Sequence, residues 1–240
     1  DKLEENESYI VKPAGFTNNA FTSDTAQYNS GNGIEIFKNS HDTKEFVNNN
    51  PLKAGYVIQE NITGLDLINE QKYDIRCYLL AVCNDYNISY YYYRGYARMT
   101  NNKFGKNSID MSNILTNTHF QQNLDGFTEN KHIQIVRDFD TDNIREEKII
   151  SCFTELSNVL PNKSEVDKGI FLLGVDFLFD EQLNPYIIEF NYNPGFRGNK
   201  IKEYTVLQNN LIHDLVNYFF EPMLCNKTIR NTGNFKKLKI

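Results

Sequence analysis

Apolar and polar positions between residues 169 and 195 alternate in a way that predicts a β-hairpin. An apolar run opens at Gly169, a turn falls over residues 180–185, and a second apolar run ends in Asn191-Tyr192-Asn193-Pro194-Gly195. Taking residues 181–184 as the loop sets Asp176 opposite Glu189 and Phe177 opposite Ile188. Side chains alternate across a strand, so Asp176, Glu189 and Asn191 share one face. Phe171, Leu173, Val175, Phe177, Phe179, Tyr186, Ile188 and Phe190 take the other, which reads as a core face.

The same patterning divides the rest of the chain. Residues 8–13 form a strand ending in Lys12-Pro13, and residues 14–30 are a polar loop rich in Asn, Thr and Ser. A second strand, 31–37, opens on Gly31-Asn32-Gly33; a short helix over 41–49 stops before Pro51; residues 56–62 are a third strand. In the strand at 71–82, Lys72, Asp74 and Arg76 fall on one face and Tyr73, Ile75, Cys77, Leu79 and Ala81 on the other. The strand at 88–98 carries four consecutive tyrosines, 90 to 93, then Arg94 and Arg98 at matching parity. A three-residue loop at 84–86 would set Arg94 opposite Arg76 and Arg98 opposite Lys72. Residues 101–143 are polar, with 114–117 and 132–136 as short ordered pieces. Ile149, Phe153, Leu156 and Leu160 recur at helical spacing, so 144–160 is a helix ended by Pro161. Leu207, Leu211, Leu215 and Phe219 mark another over 203–220. Both stripes face a core; neither suits a membrane or a coiled coil, and no internal repeat is present.

Composition narrows the function classes. With 240 residues the chain can bury a sizeable core, and a net charge of −6 disfavours a general nucleic-acid surface. The basic cluster at 235–239 reads as a solvated tail. Cys77, Cys83, Cys152 and Cys225 lack zinc or disulfide spacing, which points to a reducing, cytoplasmic setting. No apolar run reaches membrane-spanning length. The four histidines are dispersed, so no metal cluster of that type and no Ser/His/Asp triad is indicated. An opening residue Asp1 so close to a strand suggests a fragment of a longer protein.

Candidate chemistry gathers on three features, each with a plainer alternative. Two carboxylates opposite one another repel unless something positive lies between them, and oxygen ligands from Asp176, Glu189 and Asn191 suit a hard divalent cation such as Mg²⁺. The alternative is a solvated hairpin face. Lys12 with the Gly31 and Gly33 turn makes either a phosphate clamp or an ordinary hairpin loop. The Lys72, Asp74, Arg76, Arg94 and Arg98 face is either a pocket for a polyanionic nucleotide and a carboxylate or a solvated surface.

In order along the chain, several segments together resemble the tubulin–tyrosine ligase-like family of ATP-grasp enzymes. They are Tyr9-Ile10-Val11-Lys12-Pro13, Gly31-Asn32-Gly33-Ile34, Val57-Ile58-Gln59-Glu60, Lys72-Tyr73-Asp74-Ile75-Arg76, Tyr93-Arg94-Gly95-Tyr96-Ala97-Arg98, Leu115-Thr116-Asn117, Gly174-Val175-Asp176-Phe177 and Glu189-Phe190-Asn191. The resemblance implies an α+β ATP-grasp fold, antiparallel sheets with flanking helices, lacking its N-terminal subdomain. Residues 1–60 would be the central lid subdomain and 61–240 the C-terminal subdomain with the metal-binding hairpin. It implies that Lys12, Gly31, Gly33 and Ile34 cover ATP phosphates, and that Gln59, Glu60 and Ile62 read adenine at a hinge. Lys72, Asp74, Thr116 and Asn117 would also bind nucleotide. Asp176, Glu189 and Asn191 would hold Mg²⁺, and Arg76 and Arg98 would grip the amino acid and an acyl phosphate.

The implied function is ATP-dependent ligation of a free amino acid (tyrosine, glutamate or glycine) to a protein acceptor, tubulin among the candidates, with no nucleic acid or membrane involved. This sequence departs from the family at Ser30, where a basic residue often precedes the glycines, and at Thr118, where glutamylating members carry Tyr. Two other functions stay open: an ATP-grasp ligase on a non-tubulin or small-molecule acceptor, and a catalytically silent nucleotide-binding or interaction module.

Overall fold

A computed structural model describes residues 3–5, 7–14, 33–105, 108–156, 159–192, 194–196 and 201–239. The chain divides into two compact units, one from residues 1–72 with 100–127 and the other from 73–99 with 128–240. Both mix helices with antiparallel strands.

In the first unit, β1 (Tyr9–Pro13) lies between β2 (Glu35–Phe37) and β3 (Tyr56–Glu60), antiparallel to both. The glycine-led strand expected over 31–37 is shorter, beginning at Glu35, and its Gly31 lies outside the described residues. Helix α1 (Ser40–Asn49) starts where Asn39 accepts a hydrogen bond from the Asp42 amide at 2.8 Å, which satisfies one of the helix's unpaired donors. Strand β4 (Leu67–Ile68) pairs with residues 71–72, and a helical turn, Thr118–Gln121, follows Asn117.

The second unit is built on β5 (Gln71–Asn84), β6 (Asn87–Met99), β7 (Ile133–Ile135), β8 (Lys168–Phe179), β9 (Pro185–Tyr192) and β10 (Lys236–Lys237), paired in the order β10-β6-β5-β8-β9, with β7 also on β6. Strand β5 is central and buried on both faces from Lys72 to Leu80. Helix α2 (Ile144–Glu155) buries Ile149 and Phe153 on one face of the sheet, where Phe153 meets Phe177 edge-on at 5.5 Å and Tyr92 at 6.4 Å. Helix α3 (Lys202–Leu215), continued by a π-turn over Val216–Phe220, covers the other, with Leu211 and Phe219 fully buried and Phe219 against Tyr91 at 5.0 Å. The tyrosine run thus serves two cores by alternation. Among the described residues no helix is long and apolar enough to cross a membrane.

Two expectations are corrected. The basic C-terminal cluster is not a solvated tail: β10 pairs with β6, and Phe235 and Leu238 are 2% and 5% exposed. The lysines between them kept the run from looking apolar, yet burial of the two flanking residues is what docks it. The odd face of the hairpin is core only over part of its length. Val175, Phe177 and Phe179 are buried beneath α2, whereas Phe171 and Phe190 are 43% and 40% exposed, and Tyr186 pairs with Leu178 and so lies on the opposite face from the one expected.

Both long hairpins carry bulges. Across β8 and β9, Phe177 pairs with Ile187 but Asp176 pairs with Glu189, which leaves Ile188 as an extra residue. The Asp85-Tyr86 turn joining β5 and β6 has both residues at positive φ, 49° and 62°, the two-residue geometry that matches strand twist. Beyond it, Tyr78 pairs with Tyr93 but Arg76 with Tyr96, so one residue of the Arg94-Gly95 pair is extra. At that bulge a Cβ on Gly95 would lie 1.6 Å from the Arg76 carbonyl oxygen, so only glycine allows the strands to meet there.

Candidate functional site

Strand pairing in the second unit assembles a row of charge. Asp74 lies opposite Arg98, Arg76 opposite Asp176, and Asp176 opposite Glu189. Arg98 forks Asp74, Nε to Oδ1 at 2.7 Å and Nη2 to Oδ2 at 2.8 Å, and its Nη2 also reaches Asp176 Oδ2 at 2.8 Å. Arg76 donates from Nε to Asp176 Oδ1 and from Nη2 to Oδ2, the latter at 2.9 Å. Asn191 Nδ2 bridges the facing carboxylates, 3.2 Å from Asp176 Oδ2 and 3.1 Å from Glu189 Oε1. The expected sharing of one face by Asp176, Glu189 and Asn191 is what the structure shows.

The register on the β6 side differs from expectation. Arg98 faces Asp74, not Lys72, because the turn has two residues and the bulge adds another. Parity survives this shift, so Arg98 stays on the Asp74–Arg76 face. Arg94 does not: the bulge puts Tyr93 and Tyr96 on the same side and turns Arg94 away, to Asn143 Oδ1 at 2.9 Å and to the Glu146 carboxylate.

Asp176 is 2% exposed, and Asp74, Arg76 and Arg98 are buried as well. Burial alone would raise the Asp176 pKa, but the Arg98 field and the Arg76 hydrogen bond hold the carboxyl well below the usual carboxylate range. For Arg76 and Arg98 burial opposes the charge, and Asp176 outweighs it for both, joined by Asp74 at Arg98, so each guanidinium is more firmly protonated than usual. Two cations and two anions thus neutralise one another in the interior, with Glu189 exposed at the margin.

The first unit holds the other expected residues. Lys12 pairs with Val57, and Gln59 and Glu60 of β3 pair with Ile10 and Tyr9. Ile62 and Ile34 are half-buried, Gly33 has φ +76°, and Lys72 and Thr116 are buried. The Asn117 side chain is committed to helix capping, accepting from the His119 and Phe120 amides at 2.9 and 3.3 Å.

Neighbours of Arg76 escaped the sequence reading. Tyr96 lies opposite it on β6, stacks edge-on against Tyr204 at 4.7 Å, and Gln208 donates to the Tyr204 hydroxyl at 2.6 Å. Gly174 leaves room for Arg76, since a Cβ there would approach its Cδ to 3.1 Å. Tyr96 and Gly174 sit within the quoted motifs and were within reach of strand parity; Tyr204 and Gln208 come from a distant helix, and no local pattern marks them.

A hard cation is chemically suited to the hairpin's donor set: two carboxylates and an amide oxygen carried on one face, with the carboxylates already drawn together by Asn191. Asp176 enters such a set with both oxygens engaged by arginine. Elsewhere, among the described residues, His41, Asp42 and Glu45 also bring ligand atoms within 4.8 Å of one another, but on the exposed first two turns of α1, where Asn39 already organises Asp42.

The probable alpha-tubulin polyglutamylase Ttll1 of Tetrahymena thermophila is 27% identical over 214 residues, which cover 79% of this chain and 49% of that protein. The probable tubulin polyglutamylase TTLL9 of Bos taurus is 29% identical over 162 residues, 62% of this chain and 35% of its own. Protein polyglycylase TTLL10 of Mus musculus is 27% identical over 164 residues, 60% and 23% respectively. The chain therefore spans half or less of the length of these relatives. The sequence profile of the tubulin-tyrosine ligase family matches residues 3–229. With nearly the whole chain matched and the Asp-Arg-Asp-Glu row in place, the protein belongs to the tubulin-tyrosine ligase family.

Proposed function

We propose that the chain is part of an ATP- and Mg²⁺-dependent carboxylate–amine ligase that joins an amino acid to a protein acceptor. The observation that carries this reading is the row of Arg98, Arg76, Asp176, Glu189 and Asn191 on one sheet face in a chain of this family. Relatives named as polyglutamylases and polyglycylases favour glutamate or glycine over tyrosine, and tubulin as the acceptor to try first. Four cysteines without disulfide partners suit a reducing cytoplasm.

The reaction needs charge neutralisation and alignment more than a protein nucleophile. A carboxylate oxygen attacks the γ-phosphorus, the bond to the β-phosphate oxygen breaks, and ADP leaves. The amine nitrogen then attacks the acyl carbon of the resulting acyl phosphate, phosphate departs, and the amine loses a proton to solvent. In this reading Arg76 and Arg98 would meet the negative charge in both steps, with their partners Asp74 and Asp176 holding the guanidinium planes in position. A divalent cation held by Glu189, Asn191 and Asp176 would supply further neutralisation of phosphate charge. Nucleotide-binding roles for Lys12, Gly31, Gly33, Ile34, Gln59, Glu60, Ile62, Lys72, Asp74, Thr116 and Asn117 belong to the same proposal.

The test is ATP consumption by the protein with tyrosine, glutamate or glycine, with and without tubulin. Turnover that depends on both amino acid and acceptor supports ligation, and Glu189→Gln should abolish it and weaken Mg²⁺-ATP binding. Unchanged turnover in that variant would remove the metal assignment. One observation favours a second reading, a catalytically silent binding module: Asp176 already accepts four hydrogen bonds. ATP binding without any turnover on any acceptor would select it.

A further inference from the structure

Arg94, which the bulge removes from the charged row, lines a cavity of about 270 Å³ in the second unit. Its position follows from how the outer edge of β6 is covered. Strand β10 pairs with Tyr91 and Tyr92, and β7 pairs with Tyr96, Ala97 and Arg98. Residues 93–95 lie in the gap between those two short strands, and Tyr93 and Arg94 form part of the cavity wall. Glu146 also lines it and is 1% exposed. Arg94 Nη2 bonds its Oε2, and Lys236 Nζ bonds Oε1 at 2.8 Å.

Two cations therefore share one buried anion, which leaves a net positive charge at that position. Arg94 commits only Nη2, to Glu146 and Asn143; its Nε and Nη1 have no partner among the described residues. Burial and the Arg94 charge lower the pKa of Lys236, and the nearby Glu147 charge partly opposes them. Arg137, whose Nε also lies 3.6 Å from Asp138 Oδ1, adds a third cation to the wall, and Glu203 a second anion. Ile135, Val206 and Leu207 supply apolar surface beside these donors.

We propose that this cavity binds the carboxylate of an acidic amino-acid residue, its short hydrocarbon stem against Ile135, Val206 and Leu207 and its oxygens among Arg94, Arg137 and Lys236. Guanidinium matches the two oxygens of a carboxylate, and a cavity of this volume suits one side chain rather than a nucleotide. The site is separate from the Asp176 row, and the inference stands whether or not the chain is a ligase.

Calorimetric titration of the protein with a terminally blocked Gly-Glu-Gly peptide, with Gly-Gln-Gly blocked in the same way, and with free glutamate tests it. The glutamate peptide should bind and its amide counterpart should not. Binding of free glutamate alone would identify a free amino acid as the ligand; binding of the peptide alone would identify a residue within a chain; either supports the site. Arg137→Ala removes an exposed side chain and keeps the fold intact, and it should weaken binding about tenfold or more. Lys236→Ala should do the same, with unfolding temperature recorded for both variants. No binding by the unaltered protein, equal binding of the two peptides, or affinity unchanged in Arg137→Ala would overturn the proposal.

Discussion

A methyl group at Gly95 would sit 1.6 Å from the carbonyl oxygen of Arg76 and 2.6 Å from its carbonyl carbon. Backbone cannot step aside as a side-chain tip can, so Gly95→Ala has to part β5 from β6 beside the charged row. It should cost more than about 4 kcal/mol or prevent folding, measured by urea denaturation. Gly105→Ala, whose Cβ would meet only the Ser108 Cβ at 3.3 Å, is the control and should stay within about 1 kcal/mol. Asp176→Asn is a different kind of loss. It removes the charge that two buried guanidinium groups share, and breaking one partner of a buried ionic cluster costs about 3–5 kcal/mol. A loss of activity in that variant therefore has to be read beside its stability, whereas Glu189, exposed at the end of the row, can be changed with less structural consequence.

Among the elements, β10 is the least conspicuous in sequence and among the more consequential. Phe235 meets Tyr93 edge-on at 4.6 Å and Phe219 edge-on at 5.1 Å, so Phe235→Ala should destabilise the protein by about 3–5 kcal/mol in urea denaturation. Strand parity could not reveal it, because a two-residue strand has no period to detect. Parity did reveal the face shared by Asp176, Glu189 and Asn191, through two departures that cancel. The turn holds five residues rather than four, since Phe179 pairs with Pro185, and the bulge at Ile188 restores the expected partner at Glu189. The five-residue turn is organised by Asp180, which accepts from the Gln182 and Asn184 amides at 2.9 and 2.7 Å. On the β6 side no such cancellation occurs, and Arg98 moves from Lys72 to Asp74. Bulges depend on what the neighbouring backbone needs, as the Gly95 contact shows, and that need belongs to the partner strand rather than to the bulge's own run of residues.

For the whole molecule, two buried groups make stability depend on pH with the same sign. Burial lowers the His132 pKa; its hydrogen bond with the Met99 carbonyl and the Asp74 charge partly oppose this, while the Arg98 charge adds to it. Between about pH 6.5 and its folded value the unfolded chain binds a proton that the native chain does not, so stability falls as pH drops. Asp176 acts lower: its stabilisation is complete above the unfolded value of about 4 and is lost progressively as pH falls below that. The urea midpoint should decline in two stages on acidification, and His132→Gln should remove the first while leaving the second.

The chain crosses between the two compact units three times, after residues 72, 99 and 127. During synthesis from the N-terminus, the earlier unit consequently waits for its own last segment. While residues 73–99 emerge, β5 and β6 can already pair into a hairpin whose remaining sheet partners have not been made. Only when residue 127 has left the ribosome are both of these segments of the first unit present, and the second waits longer still, for β8 and then β10. The charged row of β5 and β6 is thus made before Asp176, and for that interval Arg76 must remain hydrated, without the carboxylate that later buries it.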